Sequence, residues 1–144
     1  MQKMRIALAD DHDLVRDAIA RLLESFGNVE IVGQVGDGHA AINMVRELKP
    51  DILILDISMP KLRGIEALPE IIHESPNTRV IMLSMHKKEA YIKDSLRHGA
   101  AGYLLKESAT QELEDAVSYV SKGQVYLSPA ISRNVVENWL RETP

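Results

Sequence analysis

Near-continuous apolar runs recur at residues 6–9, 52–55, 80–83 and 103–105, each without polar alternation. Runs of this kind belong to strands covered on both faces, as in a parallel sheet. A fifth segment, 29–35, alternates Val29, Ile31, Gly33 and Val35, the pattern of an edge strand. Between the runs, apolar positions fall at helical spacing. Leu14, Val15, Ala18, Ile19, Leu22, Leu23 and Phe26 share one face, and Gly27 ends that helix. A second helix is predicted over about 38–48, with Ala41, Ile42, Val45 and Leu48 inward and Pro50 closing it. A third covers about 65–74, with Pro69 near its first turns, where a missing N–H matters least. A fourth covers 88–98 before Gly99, and a fifth 110–122 before Gly123.

Strand then helix, repeated five times, predicts an α/β fold with a parallel sheet and right-handed crossovers. Five units in residues 4–123 match a flavodoxin-like doubly wound domain: five strands in the order 2-1-3-4-5, with helices on both faces. No domain boundary interrupts 4–123. Residues 124–144 change character and read as a linker with a short amphipathic helix. Ser128-Pro129 starts that helix, and Ile131, Val135, Val136, Trp139 and Leu140 fall on one face. That face must bury against this domain, a second copy or a neighbouring domain.

Composition narrows the function. The 144 residues are 45% apolar and 26% charged, the range of an ordinary globular domain. No cysteine is present, which excludes a disulfide scaffold, thiol catalysis and cysteine-ligated metal. A net charge of −4 without a basic block argues against direct nucleic-acid binding. Lys87-Lys88 and the Lys61, Arg63 pair read as solvated surface. The short N-terminal apolar run is neither a signal peptide nor a membrane span, so a cytoplasmic location without membrane contact is expected.

In an open α/β sheet, ligands bind outside the carboxyl ends of the strands. The first run ends in Asp10-Asp11, the third strand in Asp56, the fourth in Ser84 and the fifth in Lys106. Three carboxylates on one rim repel unless a cation intervenes. Mg2+ suits them, since it takes one or two carboxylates, a carbonyl and several waters, leaving a position for a phosphoryl oxygen. An aspartate there can attack a phosphoryl group while the metal, Lys106 and Ser84 neutralise the equatorial oxygens. An acyl phosphate on one of the aspartates is the expected product. Spacing alone leaves open which one.

The motifs Asp10-Asp11, Leu53-Ile54-Leu55-Asp56-Ile57-Ser58-Met59-Pro60 with Gly64, Met82-Leu83-Ser84 and Gly102-Tyr103-Leu104-Leu105-Lys106 resemble the signature of response-regulator receiver domains. The resemblance covers residues 4–123. It implies that Asp56 is the phosphoacceptor, that Asp11 ligates Mg2+ directly with Asp10 helping through water, and that the Ser58 carbonyl is a further ligand. It implies that Ser84 and Lys106 bind the phosphoryl oxygens, and that Tyr103 is an aromatic switch. It further implies a sensor histidine kinase as phosphodonor, and no enzymatic activity beyond self-phosphorylation and autodephosphorylation. Two positions depart from the family's commonest pattern. Lys106 is followed by Glu107 rather than proline, so a cis peptide there would be a non-proline one. Ser84 stands where threonine is commoner, which keeps the hydroxyl.

Residues 97–106 with Gly123-Gln124-Val125-Tyr126-Leu127-Ser128-Pro129 are similar to the NarL/LuxR-type subfamily. That implies a C-terminal helix-turn-helix domain, beyond this chain, through which DNA would be bound, and a possible phosphorylation-dependent homodimer. The alternative is a stand-alone receiver acting through protein contacts. Other readings fit less well. Aspartyl-phosphate phosphatases need a second acid two residues after the nucleophile, and Ser58 stands there. A flavin carrier needs a Ser/Thr/Gly-rich cradle, and the first loop here is acidic. The intact set of Asp11, Asp56, Ser84 and Lys106 argues against a module that is never phosphorylated. His12, His39, His73, His86 and His98 lack metal spacing and read as surface, with His86 placed to border the site.

Overall fold

A computed structural model describes residues 2–142, apart from the side chains of residues 134, 136, 139 and 142. It runs β1 (Met4–Ala9), α1 (Asp13–Glu24), β2 (Val29–Val35), α2 (Gly38–Leu48), β3 (Ile52–Asp56), α3 (Gly64–Glu74), β4 (Arg79–Ser84), α4 (Glu89–Arg97), β5 (Gly102–Leu105), α5 (Ala109–Ser121), β6 (Tyr126–Leu127) and α6 (Pro129–Glu142). A 3-10 turn, Lys106–Ser108, leads from β5 into α5. Among the described residues every peptide bond is trans, that between Lys106 and Glu107 included.

Successive side chains of a strand point to opposite faces, so each buried run splits between two cores. Ala7, Ala9, Leu53, Leu55, Met82, Tyr103 and Leu105 join Ala41 and Val45 of α2 and Leu68 and Ile71 of α3. Ile6, Leu8, Ile54, Ile81, Leu83 and Leu104 join Ile19 and Leu23 of α1 and Leu113, Val117 and Val120 of α5. Each fully buried Leu or Ile contributes about 1.5–3 kcal/mol. Two covered faces explain why β3 is buried at every position while β2, at the sheet edge, is not.

The sheet corrects the sequence expectation in one respect. All its strands are parallel but there are six, in the order β2-β1-β3-β4-β5-β6. The sixth is only Tyr126–Leu127, paired with Gly102 and Tyr103. Two residues carry no readable periodicity. They are held because the Tyr126 N–H donates to the Ala101 carbonyl and the Ser128 N–H to that of Tyr103. The segment after Gly123 is therefore integrated into the domain, and Ile131 of α6 is fully buried in the first core. Val136 and Trp139, also assigned to that apolar face, lie outside the described side chains.

Helix boundaries shift by a residue or so from expectation. Pro69 falls at the sixth position of α3, past the first turn, and the helix runs through it. Burial of Ala67, Leu68 and Ile71 holds α3 in place despite the missing N–H. At the start of α2, Asp37 Oδ1 accepts the Ala40 N–H at 2.9 Å, a side-chain cap.

Candidate functional site

β1 and β3 are neighbours whose chain connections leave in opposite directions, α1 toward β2 and α3 toward β4. The loops at their carboxyl ends therefore splay, which forms a crevice. Asp10 and Asp11 follow β1, Asp56 ends β3, Ser84 ends β4 and Lys106 follows β5. The topology thus brings the predicted residues to one rim.

Lys106 ties the site together. Its Nζ lies 3.1 Å from Asp10 Oδ2, 3.2 Å from Asp56 Oδ2 and 3.3 Å from His12 Nδ1. The ammonium donates to Asp56 Oδ2, and Asp10 Oδ2 faces it as an ion-pair partner. Asp10 and Asp56 are buried, at 2% and 3% exposure, whereas Asp11 is exposed. Burial pushes the Asp56 carboxyl up to about 6, and the Asp10 charge acts in the same direction. Lys106 and the Ser58 N–H, which donates to Asp56 Oδ1 at 3.2 Å, pull it partly back.

Ligating atoms of Asp10, Asp11, His12 and Asp56 all lie within 4.8 Å of one another. Asp10 Oδ2 is buried and accepts no well-directed hydrogen bond, although the Lys106 ammonium stands beside it. A hard divalent cation fits such a carboxylate set. Asp10, Asp11 and Asp56 would hold it, with Ser58 near enough in the chain to add its carbonyl.

Ser84 is fully buried, and its Oγ accepts the His86 N–H at 2.9 Å, so the hydroxyl is turned into the 84–86 loop. Tyr103 is also fully buried, and its hydroxyl donates to the His86 carbonyl at 3.0 Å. The predicted switch residue is thus already inward and fastened to the loop beyond Ser84. His86 lines a small cavity with His12, Asp56, Ser58 and Lys106, as its position implied.

Two residues of the site were not among those expected. His12 is 56% exposed, as a surface histidine would be, yet its Nδ1 also lies 3.2 Å from Asp10 Oδ1 and 3.4 Å from Asp11 Oδ1. Its adjacency to the Asp pair was the available signal. Arg16, one turn into α1, donates to the carbonyls of Asp10 at 2.8 Å and Val35 at 3.2 Å, which fixes the acidic loop against β2. No spacing rule marks such a contact.

Residues 6–118 match the family model of the response regulator receiver domain. The chain is 37% identical over 139 residues to the transcriptional regulatory protein DegU of Brevibacillus brevis, covering 96% of this chain and 59% of that protein. It is 40% identical over 129 residues to the transcriptional regulatory protein MctR of Rhizobium johnstonii, covering 90% and 60%. The chain thus spans about three fifths of the length of these curated relatives. Among solved structures, a LuxR-family two-component response regulator from Aurantimonas sp. SI85-9A1 superposes with a TM-score of 0.92 at 32% identity, covering 96% of this chain and 99% of that one.

Proposed function

Because the chain belongs to the response regulator receiver domain family, we propose that Asp56 accepts a phosphoryl group from a sensor histidine kinase and that the chain is the switch half of a transcription regulator. The observation that carries this is the Lys106 ammonium seated between two buried carboxylates at the crevice. That arrangement holds a carboxylate nucleophile beside the positive charge that a transferring phosphoryl group requires.

An Asp56 oxygen forms the new bond to phosphorus as the bond from phosphorus to the donor's imidazole nitrogen breaks. The electron pair leaves with that nitrogen. Lys106 pairs with the phosphoryl oxygens, and Ser84 rotates out of its loop to donate to them. Mg2+, when bound, would supply Lewis-acid neutralisation of the same oxygens. Asp10, Asp11 and Asp56 would hold it, together with the Ser58 carbonyl. Beyond this self-phosphorylation, and the hydrolysis of the acyl phosphate to aspartate and inorganic phosphate, the chain turns over no substrate.

A donor can reach Asp56 past an apolar rim. Leu14 and Met85 are among the few large exposed apolar side chains. With Val15, Met85 lines a groove that also includes His12, Lys106 and Glu107. DNA binding belongs to a further C-terminal domain, in keeping with relatives that are longer than this chain and carry the name of transcriptional regulators. A phosphorylation-dependent homodimer and a cytoplasmic location complete the proposal. Among the described residues no helix is long and apolar enough to cross a membrane.

Incubation with Mg2+ and acetyl phosphate followed by intact-mass measurement tests the first step. One added phosphoryl group is expected on the natural chain and none on Asp56→Asn. An equal yield on both would overturn the assignment.

A further inference from the structure

The residue that opens α1 is a histidine whose side chain caps nothing. That position usually holds a Ser, Thr, Asp or Asn that accepts a free N–H of the first turn. His12 stands there with extended backbone and makes no side-chain cap hydrogen bond. Its ring turns to the carboxylates instead, with Nδ1 3.2 Å from Asp10 Oδ1 and 3.4 Å from Asp11 Oδ1. The His12 N–H donates to the same Asp10 oxygen at 2.9 Å, which holds the turn in this shape. Three successive residues thus present ligand atoms side by side, and a carboxylate oxygen of Asp56 completes a set whose members all lie within 4.8 Å of one another.

The spacing is that of a coordination sphere. Bonds of about 2.0–2.2 Å, as zinc makes to imidazole and carboxylate, leave adjacent ligand atoms about 3.0–3.5 Å apart. A second observation points the same way. Asp10 is 2% exposed, and its Oδ2 accepts no hydrogen bond, with the Lys106 ammonium as its ion-pair partner. His12 Nδ1 stands 3.3 Å from that same ammonium. Neither neutral tautomer suits both sets of neighbours, because an N–H at Nδ1 faces the ammonium and a lone pair there faces two carboxylates. A divalent ion shared by the nitrogen and the carboxylates replaces the ammonium as counter-charge and removes the conflict.

Mg2+ is a hard ion that takes oxygen ligands and keeps several waters, so an imidazole adds little to its binding. Late first-row ions bind imidazole and carboxylate together. We propose that His12 is a nitrogen ligand of the acidic site and gives this chain a preference for a late first-row divalent ion, of the zinc and cobalt class, over Mg2+. This rests on the reading of Asp10, Asp11 and Asp56 as a cation site, and not on which aspartate is phosphorylated. The His12 side chain is 56% exposed, so an ion reaches its ring from solvent and its truncation leaves the core intact.

Calorimetric titration of the full chain with zinc chloride and with magnesium chloride, without a phosphodonor, tests this. The ratio of Zn2+ to Mg2+ affinity is expected to fall about 10- to 100-fold in His12→Ala, the range that loss of a ligand's supporting partner already produces. Imidazole nitrogen resonances give a readout that a role in loop shape would not move: one equivalent of Zn2+ should shift His12 Nδ1, and Mg2+ should not. An unchanged ratio in His12→Ala, or a ratio that falls in His86→Ala instead, overturns the proposal. Equal weakening of both ions in His12→Ala would assign the residue to the shape of the loop and overturns it too. Failure of the natural chain to bind either ion removes the cation site as well. None of these results touches Asp56 as phosphoacceptor, which the mass measurement reads by itself.

Discussion

Lys106 Nζ lies 3.2 Å from Asp56 Oδ2, with only 11% of the lysine side chain exposed. In the chain without a divalent ion, this ammonium offsets the repulsion between the Asp56 and Asp10 carboxylates. Removing one partner of a buried charge cluster leaves the others uncompensated, at a cost of about 3 kcal/mol. Lys106→Ala is therefore expected to unfold at lower denaturant concentration in chelator. It should also bind Mg2+ more tightly than the natural chain in calorimetric titration, because a competing cation is gone. Weaker binding would show that Lys106 helps build the metal site.

Stability should depend on pH through Asp56. Its carboxyl sits at about 6 in the folded chain against an ordinary 3.8. Between these values the folded state binds more protons than the unfolded one, so stability falls as pH rises through the window and the full penalty is present above it. Without divalent ions, Asp56→Asn should be the more stable protein above pH 6, by on the order of 2 kcal/mol. It should also have a flatter stability profile between about pH 4 and 6. Denaturant unfolding across this range checks both. A variant less stable than the natural chain above the window would contradict the burial argument.

The fold was legible because its signals are long. The apolar runs of β1, β3, β4 and β5 are separated by helical faces, and each run ends in the residue that reaches the rim. Convergence of Asp10, Asp56 and Lys106 follows from chain order alone. What stayed hidden rests on single contacts. Tyr126 and Leu127 join the sheet through backbone pairing, which two residues cannot announce. His12 reads as surface because most of its ring is, although one ring nitrogen faces the carboxylates. Arg16 acts on main-chain carbonyls, and these leave no trace in a pattern of side chains. The choice of Asp56 over Asp10 and Asp11 came from family resemblance. The structure adds that Asp56, like Asp10, is buried and in contact with Lys106.

Gly64 bears on the site through its lack of a side chain. A β-carbon there would overlap the Asp56 carbonyl oxygen and press on Leu55. Gly64→Ala should destabilise the chain by about 2–3 kcal/mol, as overpacking does, and slow phosphorylation by displacing Asp56. Thermal melting and acetyl phosphate labelling on the same preparation separate the two effects. Natural rates at reduced stability would mean that the displacement stops short of the carboxylate.

Arg16 fixes the loop that carries Asp10 and Asp11. Its guanidinium donates to two carbonyls, so Arg16→Ala should lower stability by about 2 kcal/mol. Arg16→Lys should restore only part of that, because one guanidinium nitrogen holds both carbonyls while the other reaches Asp13 Oδ1, and a single ammonium lacks the second nitrogen. Chemical denaturation of both variants measures this. Full recovery with lysine would assign the effect to charge alone.

The most direct test of the central claim locates the phosphoryl group. After labelling with acetyl phosphate and Mg2+, reduction of the acyl phosphate with borohydride converts the modified aspartate to homoserine, which peptide mass mapping places in the sequence. Homoserine at position 56, with positions 10 and 11 unmodified, is the predicted result. Homoserine at position 10 or 11 with Asp56 intact, or no reduced residue after confirmed exposure to the donor, would contradict it.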